Sequence, residues 1–329
     1  MQRVLITGIT GMTGSHLADH LLDVQRDLSV FGTRRSCSDM RNISHRTDLN
    51  LLDCDLYNSE DCLDLVRSTR PDYIFHLAAK TFVPESWKNP ASTIIGNLSM
   101  QLNILEAVRQ SDISPKILVA LSPEEYGRVP SENMPIAENT PLRPVSPYGV
   151  SKVSQDMLAY QYHHSFGMHI IRARPFNHEG PRRGEGFVTS NFAKQIAEIE
   201  SGLKPPILRV GNLSFERDWT DVRDVARAYW LALEHCVAGE DYIIASGKSR
   251  TIQEMLNTLL ALSRAKIEVV TESSRMRPVD VPVLMGDPTK FCNATNWLPS
   301  FTFEQTMADL LNYWRARVAN ESPNLQSQP

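Results

Sequence analysis

Val4-Leu5-Ile6-Thr7-Gly8-Ile9-Thr10-Gly11-Met12-Thr13-Gly14 is the stretch from which the fold of this chain can be read. Val4 to Thr7 is a short apolar run. Three glycines follow at intervals of three, and a helical pattern then continues through Leu22. Glycines between a strand and a helix permit a tight turn and a close approach of backbone to a pyrophosphate. The helix N-terminus offers that anion free N–H groups and a favourable dipole. The spacing is GxxGxxG rather than GxGxxG, so its place between strand and helix carries the inference. Gly8, Gly11, Met12, Thr13 and Gly14 are expected to hold a dinucleotide.

Working outward, the next strand spans Leu28 to Gly32 and runs into Thr33-Arg34-Arg35-Ser36. An acid here would bond the ribose 2′-hydroxyl of NAD, whereas arginines suit a 2′-phosphate. Arg34 and Arg35 therefore point to NADP. Asp53-Cys54-Asp55-Leu56 ends a third strand, where Asp55 can accept a hydrogen bond from an adenine amino group. Tyr73-Ile74-Phe75-His76-Leu77-Ala78-Ala79 is a buried-strand run ending in small residues that a cofactor can approach. Asn97 to Gln110 is helical, and Lys116 to Leu121 is another apolar strand. This alternation predicts an α/β fold: a Rossmann-type doubly wound parallel sheet with ligands at the carboxyl ends of its strands.

The candidate chemistry lies past a Pro-rich loop, in Tyr148-Gly149-Val150-Ser151-Lys152 at the head of a helical segment reaching Phe166. Positions i and i+4 share a helix face, so the Lys152 ammonium is expected beside the Tyr148 phenol. A cation there favours the phenolate, and such a tyrosine can take a proton from a sugar hydroxyl when an oxidant takes the hydride. Ser122-Pro123-Glu124-Glu125-Tyr126-Gly127 closes the strand Lys116 to Leu121 at the same sheet edge. Ser122 can bind the oxygen that Tyr148 deprotonates, and the adjacent carboxylates offer a general base.

A sixth strand, Ile170 to Arg174, ends in a loop from Pro175 to Glu185 dense in donors and cations. Beyond Phe187 the alternation loosens into helices over Asn191–Gly202, Val222–Cys236, Ile252–Leu262 and Phe303–Val318. Arg209, Arg217, Arg275 and Arg277 recur at loop-like places there, as a nucleotide diphosphate would need. The expected division is 1–175 as the NADP-binding Rossmann domain, with later segments crossing back. A smaller C-terminal α/β substrate domain over 176–319 is expected mainly to bind a nucleotide sugar, and 320–329 reads as a disordered tail.

With 329 residues, 42% hydrophobic and 22% charged, the chain can bury a large core, and a net charge of -4 gives no sign of nucleic-acid or membrane partners. No apolar run approaches the length of a membrane span, and the chain enters a strand at once, leaving no room for a signal peptide. Cys37, Cys54, Cys62, Cys236 and Cys292 are scattered without CxxC spacing, which suits a reduced cytoplasmic protein. His16 and His20 share a face of the first helix with no third ligand nearby in sequence, so no metal site is expected.

Assembled, these residues resemble the extended short-chain dehydrogenase/reductase family over essentially the whole chain. The shared features are Gly8/Gly11/Gly14, Asp55-Leu56, His76-Leu77-Ala78-Ala79, Ser122 and Tyr148/Lys152. Within it the chain is similar to the GDP-mannose 4,6-dehydratases and the GDP-4-keto-6-deoxymannose reductases. That likeness rests on Thr33-Arg34-Arg35-Ser36, Asn177-His178-Glu179-Gly180-Pro181-Arg182-Arg183-Gly184-Glu185, Val210-Gly211-Asn212, Arg217-Asp218-Trp219 and Arg277-Pro278.

The resemblance implies that Leu56, Leu77, Ala78, Ala79, His178 and Arg183 contact NADP, with Tyr148 and Lys152 at its reactive end. Asn177, Val188, Lys194, Arg217, Arg277 and Asp280 would hold a GDP-sugar, and Ser122, Glu124, Tyr148 and Lys152 would be catalytic. It implies dehydration of GDP-mannose or GDP-manno-heptose to a 4-keto-6-deoxy sugar, with NADPH-dependent reduction of GDP-4-keto-6-deoxymannose as the alternative. A non-catalytic NADP(H) sensor is the reading of another class. It also implies a homodimer or homotetramer joined through the helices at Asn97–Gln110 and Val150–Phe166. Three places depart from the dehydratase pattern: Pro123 replaces Asp or Ser, Gly-Thr is missing after Asn97, and the segment before Arg277-Pro278 is short.

Overall fold

A computed structural model describes residues 1–24, 27–272 and 281–321. The first half alternates β1 (Gln2–Thr7), α1 (Met12–Val24), β2 (Leu28–Arg34), β3 (Asn50–Asp53), α2 (Ser59–Thr69) and β4 (Tyr73–His76). It continues through α3 (Val83–Lys88), α4 (Pro90–Gln110), β5 (Lys116–Ala120), α5 (Pro147–Phe166) and β6 (Ile170–Pro175). The second half comprises β7 (Asn177–Glu179), α6 (Val188–Glu200), β8 (Ile207–Val210), β9 (Glu216–Asp221), α7 (Val222–His235), β10 (Asp241–Ile244) and β11 (Ser249–Thr251). After these come α8 (Ile252–Ala261), β12 (Glu268–Thr271), β13 (Val283–Leu284), α9 (Thr289–Thr295) and α10 (Phe303–Glu321).

Seven strands form one sheet in the order β10-β6-β5-β4-β1-β2-β3, all pairs parallel. Its strands are buried on both faces, which is why Val4–Ile6, Ile74–Phe75 and Ile117–Val119 are continuous apolar runs rather than alternating ones. One face is covered by α1, α7 and α9, where Leu17, Leu21, Tyr229 and Trp297 pack on Val4, Ile6 and Val30. The other is covered by α2, α4 and α5, with Leu65, Ile104 and Ala159 over Leu5, Ile74 and Val119. The order reverses between β1 and β4, so a crevice opens above their carboxyl ends.

α7, β10 and α9 return from the second half of the chain to complete this layer. The remaining segments form a smaller lobe. There α6, α8 and α10 bury Phe192, Ile196, Met255, Leu259, Leu311 and Trp314. β11, β9 and β13 pair beside it, with β7 joined to β9. The closing helix runs to Glu321, so Asn320 and Glu321 are helical where the sequence predicts the start of a tail; 322–329 lie outside the described residues. The second strand extends to Arg34 rather than ending at Gly32, because Thr33 and Arg34 pair with Leu52 and Asp53.

Candidate active site

A cleft of about 1110 Å³ runs along the carboxyl edge of the large sheet and on between the two lobes. Its wall at β1 is the glycine turn. Gly8 takes φ +72°, a conformation that favours glycine, and a Cβ on Gly14 would lie 2.4 Å from Gly8 O. The turn therefore closes on itself without side chains and leaves a cradle open to an anion at the start of α1. Thr7 fastens it to β4. Its hydroxyl accepts from Leu77 N at 3.1 Å and Ala78 N at 3.2 Å, so its own proton goes to His76 Nδ1 at 3.1 Å. Burial and the nearby Lys152 charge lower the His76 pKa to about 3.

At the outer end, Arg34, Arg35, Asp55 and Leu56 line the cleft together. Arg34 Nε pairs with Asp53 Oδ1 at 2.9 Å, and Asp55 Oδ1 accepts from Tyr57 N at 3.1 Å. Leu77, Ala78 and Ala79 form the floor between this end and the catalytic edge.

The inner end is built on α5. Ser146 caps it by accepting from Gly149 N at 3.0 Å, Pro147 occupies its first turn, and Gly167 closes it at φ +66°. Tyr148 and Lys152 are both buried on the helix and both line the cleft. A Cβ on Gly149 would fall 2.6 Å from Glu124 O, so glycine lets the turn from Ser122 to Glu125 rest directly on α5. In that position the Ser122 side chain hydrogen-bonds the Tyr148 phenol.

Lys152 stands on the same face of α5 as Tyr148, as the spacing predicts, and also bonds the neighbouring strand. Lys152 Nζ donates to Ala120 O at 2.7 Å and stands 5.9 Å from the centre of the Tyr148 ring. Both groups are dry. Burial pushes the Tyr148 phenol up, opposed by the Ser122 hydrogen bond and the Arg183 charge, and it pushes Lys152 down to about 8 against the pull of Glu125. Ser122 bonds the phenol while the Lys152 ammonium stands over the same ring.

Of the two adjacent carboxylates, Glu124 faces the cleft and its Oε2 accepts from Ser146 Oγ at 3.5 Å. Glu125 is fully buried beneath it.

Strand β7 and the turn after it form the opposite wall. The sequence reads this segment as one loop from Pro175 to Glu185, but Asn177, His178 and Glu179 pair with Trp219, Thr220 and Asp221. His178 Nδ1 faces the Phe176 carbonyl at 3.1 Å and must carry the proton, so Nε2 accepts from Thr13 Oγ1 at 2.9 Å. Burial and the Arg183 charge lower the His178 pKa to about 4. The Arg183 guanidinium lies 3.5 Å over the ring of Phe187, and that ring meets Phe82 edge-on with centroids 5.7 Å apart, joining the two walls. Asn177 Oδ1 is buried without a hydrogen-bond partner among the described residues.

Asn177, Val188 and Arg217, expected to hold a GDP-sugar, line the cleft. Arg217 is buried, with Nη1 donating to Glu216 O and Val281 O at 2.8 Å each. Lys194 is not on the cleft wall: its ammonium pairs with Glu185 and sits 5.5 Å from the Trp314 ring. Arg209 pairs with Glu272 at 2.6 Å on the outer face of the smaller lobe, away from the cleft. Arg275, Arg277 and Asp280 lie outside the described residues. Among those described, no three His, Cys, Asp or Glu side chains are grouped to hold a metal ion.

Two contributors were not singled out from sequence. Asn97 is fully buried in α4; its Oδ1 accepts from Lys80 N at 2.7 Å and its Nδ2 donates to Ser151 Oγ at 2.9 Å, holding α5 to the cleft floor. Tyr229 of α7 also lines the cleft, although an aromatic in an amphipathic helix reads only as core.

A parallel sheet in this order, a glycine turn at its switch point and a Tyr-x-x-x-Lys helix in the same cleft define a short-chain dehydrogenase/reductase architecture. Residues 5–310 match the family model for GDP-mannose 4,6 dehydratase. The chain belongs to the GDP-mannose 4,6-dehydratase family of the extended short-chain dehydrogenases/reductases.

It is 32% identical to the GDP-6-deoxy-D-mannose reductase of Pseudomonas aeruginosa, over 97% of this chain and 99% of that one. It is also 32% identical to the GDP-mannose 4,6-dehydratase of Yersinia enterocolitica, over 94% and 93%. Among solved structures, RMD of Pseudomonas aeruginosa complexed with NADPH superposes with a TM-score of 0.85 at 32% identity, over 96% of this chain and 100% of that one. The UDP-glucose 4-epimerase of Thermotoga maritima with UDP-glucose superposes at 0.87 with 25% identity, over the same shares.

Proposed function

We propose that this chain is an NADP-dependent nucleotide-sugar 4,6-dehydratase that converts GDP-mannose, or GDP-manno-heptose, to its 4-keto-6-deoxy product. The observation that carries this reading is Glu124, a carboxylate on the cleft wall in the same turn as Ser122 and resting against the helix of Tyr148. NADP fits the rest of the cleft. The cradle at Gly8 and Gly14 admits backbone-to-phosphate contact, Arg34 and Arg35 on the cleft wall suit a 2′-phosphate, and the superposed RMD structure holds NADPH. Bound NADP supplies the acceptance and later return of a hydride.

The chain's own residues move the protons. Tyr148, steered by the Ser122 hydroxyl, takes the proton of the C4 hydroxyl as that carbon is oxidised to a ketone, and Lys152 stabilises the resulting charge. The ketone acidifies C5. Glu124 takes the C5 proton and delivers it to the C6 oxygen, which departs as water. As the hydride returns to C6, a proton re-enters at C5, matching the one that Tyr148 took and gives up to close the cycle. With Pro123 next to it offering no proton, the one carboxylate performs both transfers. Asn177, Val188 and Arg217 would hold the GDP-sugar. Arg277 and Asp280 are assigned the same task by resemblance, and so is Lys194 once released from Glu185.

The second reading is reduction of GDP-4-keto-6-deoxymannose by NADPH. It is favoured by the end-to-end likeness to the Pseudomonas reductase and by Pro123. The deciding experiment incubates the protein with GDP-mannose and its heptose analogue and reads the products by mass spectrometry. Loss of one water without net NADPH consumption supports dehydration. Stoichiometric NADPH consumption with a 4-keto sugar, and no reaction of GDP-mannose, overturns it in favour of reduction. No product from any nucleotide sugar would leave the sensor.

The same reading takes 1–175 with its returning segments as the NADP domain and most of 176–319 as the sugar domain. It also makes the protein a cytoplasmic homodimer or homotetramer. α4 and α5 leave Ile95, Leu102, Val150, Met157, Tyr160 and Phe166 exposed, an apolar face suited to a second copy. Among the described residues no helix is long and apolar enough to cross a membrane.

A further inference from the structure

Beneath the Ser122 turn lies a buried group of charges that the proposed proton transfers do not use. Glu125 Oε1 accepts from Ser122 N at 3.1 Å, closing a capping box, and its Oε2 lies 3.3 Å from Arg174 Nε. Arg174, on β6, holds Asp156 Oδ2 at 2.5 Å through Nη2. Its Nη1 donates to the Tyr126 hydroxyl at 2.8 Å and reaches Asp241 Oδ2 of β10 at 2.5 Å. Glu125 and Asp156 are 0% exposed and Arg174 is 3% exposed. Asp156 follows Lys152 by one turn as Lys152 follows Tyr148, so the three share one stripe of α5.

We infer that Glu125 is a positioning residue: with Arg174 it straps the Ser122 turn to the helix face that carries Tyr148, and so aims the Ser122 hydroxyl at the phenol. A capping box by itself needs only one carboxylate oxygen and works at an exposed surface. Here the second oxygen lies within ion-pair distance of a guanidinium shared with α5 and β10, although the Nε–H nearest to it is donated to Asp156 Oδ2 at 3.1 Å. Buried ion pairs are poor sources of stability compared with apolar packing, and their well-attested use is to fix one arrangement. The charged neighbours of Glu125 are Arg174 of β6 and both Asp156 and Lys152 of α5. Its partner carboxylate Glu124 performs chemistry at the cleft; Glu125 acts only through Ser122. The inference rests on Ser122 serving the Tyr148 step of the proposed reaction.

The test is a double-mutant cycle between Glu125→Gln and Ser122→Ala. Gln keeps the volume and an acceptor for Ser122 N but presents Arg174 with an amide in place of a carboxyl group, whose pKa burial and Asp156 raise. Glu125→Gln should lower kcat about 10- to 100-fold, as small misplacements at reacting groups do. KM and the NADPH Kd should stay within about a factor of two, a split that a general loss of folding would not produce. In the Ser122→Ala background the Glu125→Gln change should have no further effect on kcat. Losses that multiply overturn the inference.

Hydrogen exchange read by mass spectrometry tests the strap without turnover. Amides of 121–127 should exchange faster in Glu125→Gln while those of β6 stay protected, and equal protection in both proteins overturns it. A wild type that turns over no GDP-sugar defeats the proposed function alone, because the exchange measurement still decides the role of Glu125.

Discussion

Thr13 Oγ1 and His178 Nε2 meet at 2.9 Å, tying the start of α1 to strand β7 across 165 residues of sequence. The bond needs His178 neutral if Nε2 is to accept, and burial lowers its pKa from 6.5 to about 4. His16, bonded to Pro181 O at 3.1 Å, is likewise lowered to about 4, and His76 to about 3. A histidine whose pKa is depressed in the folded state binds its proton more readily when unfolded. Its contribution is therefore fully present above pH 6.5 and is lost as pH falls through that value toward 4. Denaturant unfolding should show stability falling between pH 6.5 and 4, by up to about 3 kcal/mol for each such group. His178→Gln should flatten that slope, and an unchanged slope would contradict the assignment.

Arg34 and Arg35 should decide the cofactor. Charge-assisted bonds to a phosphate are worth roughly 1.5–3 kcal/mol each, although Arg34 shares its charge with Asp53 and both sites are open to solvent. Fluorescence titration of Arg34→Ala/Arg35→Ala should show NADPH affinity reduced at least about tenfold and NADH affinity little changed. Equal losses for both cofactors would refute the 2′-phosphate site.

Tyr148→Phe should abolish turnover with GDP-sugar binding nearly intact, since the ring that fills the site remains. Lys152→Met should slow the reaction and leave a residual activity that rises with pH. Without the cation the phenolate forms only at higher pH, and burial already opposes it. A Lys152 variant with an unchanged pH profile would remove Lys152 from the proton step.

Glu124→Gln should block the 4-keto-6-deoxy product while oxidation at C4 still reduces bound NADP, visible as absorbance near 340 nm. Normal product formation by this variant would exclude Glu124 as the C5 base.

Gly149→Ala should act at a distance from any ligand. The added methyl would meet Glu124 O at 2.6 Å and lift the Ser122 turn from α5. Overpacking of this kind costs typically 1–3 kcal/mol. The variant should therefore melt lower and lose kcat by more than KM, while an unchanged kcat would show that the turn tolerates displacement.

The sheet and its cofactor edge were legible because each rests on a local signal. Apolar strand runs, glycines before a helix and small residues after His76 all lie within short windows of sequence. The relation of Tyr148 to Lys152 was half legible. Spacing put both on one face of α5, but the Ala120 carbonyl that accepts a hydrogen bond from Lys152 comes from β5. Glu125 was illegible as more than one of two carboxylates, since Arg174 and Asp156 arrive from β6 and α5. Asn97 looked like an ordinary helical residue because its partners, Lys80 and Ser151, are contributed by a loop and a neighbouring helix. Lys194 was given to the GDP-sugar by resemblance alone, yet its ammonium pairs with Glu185 off the cleft wall.

The edge-on contact of Phe82 with Phe187 joins two walls of the cleft. A dehydratase returns its hydride to the same molecule it took it from, so its nucleotide ends each cycle in the oxidation state in which it began. Such an enzyme has no need to exchange cofactor, and a clasp over the cleft would not slow it. A reductase must discard a spent nucleotide at every turnover, and the same clasp would then set its pace. The residence time of NADP(H) in this protein is thus itself a signature of which chemistry it performs.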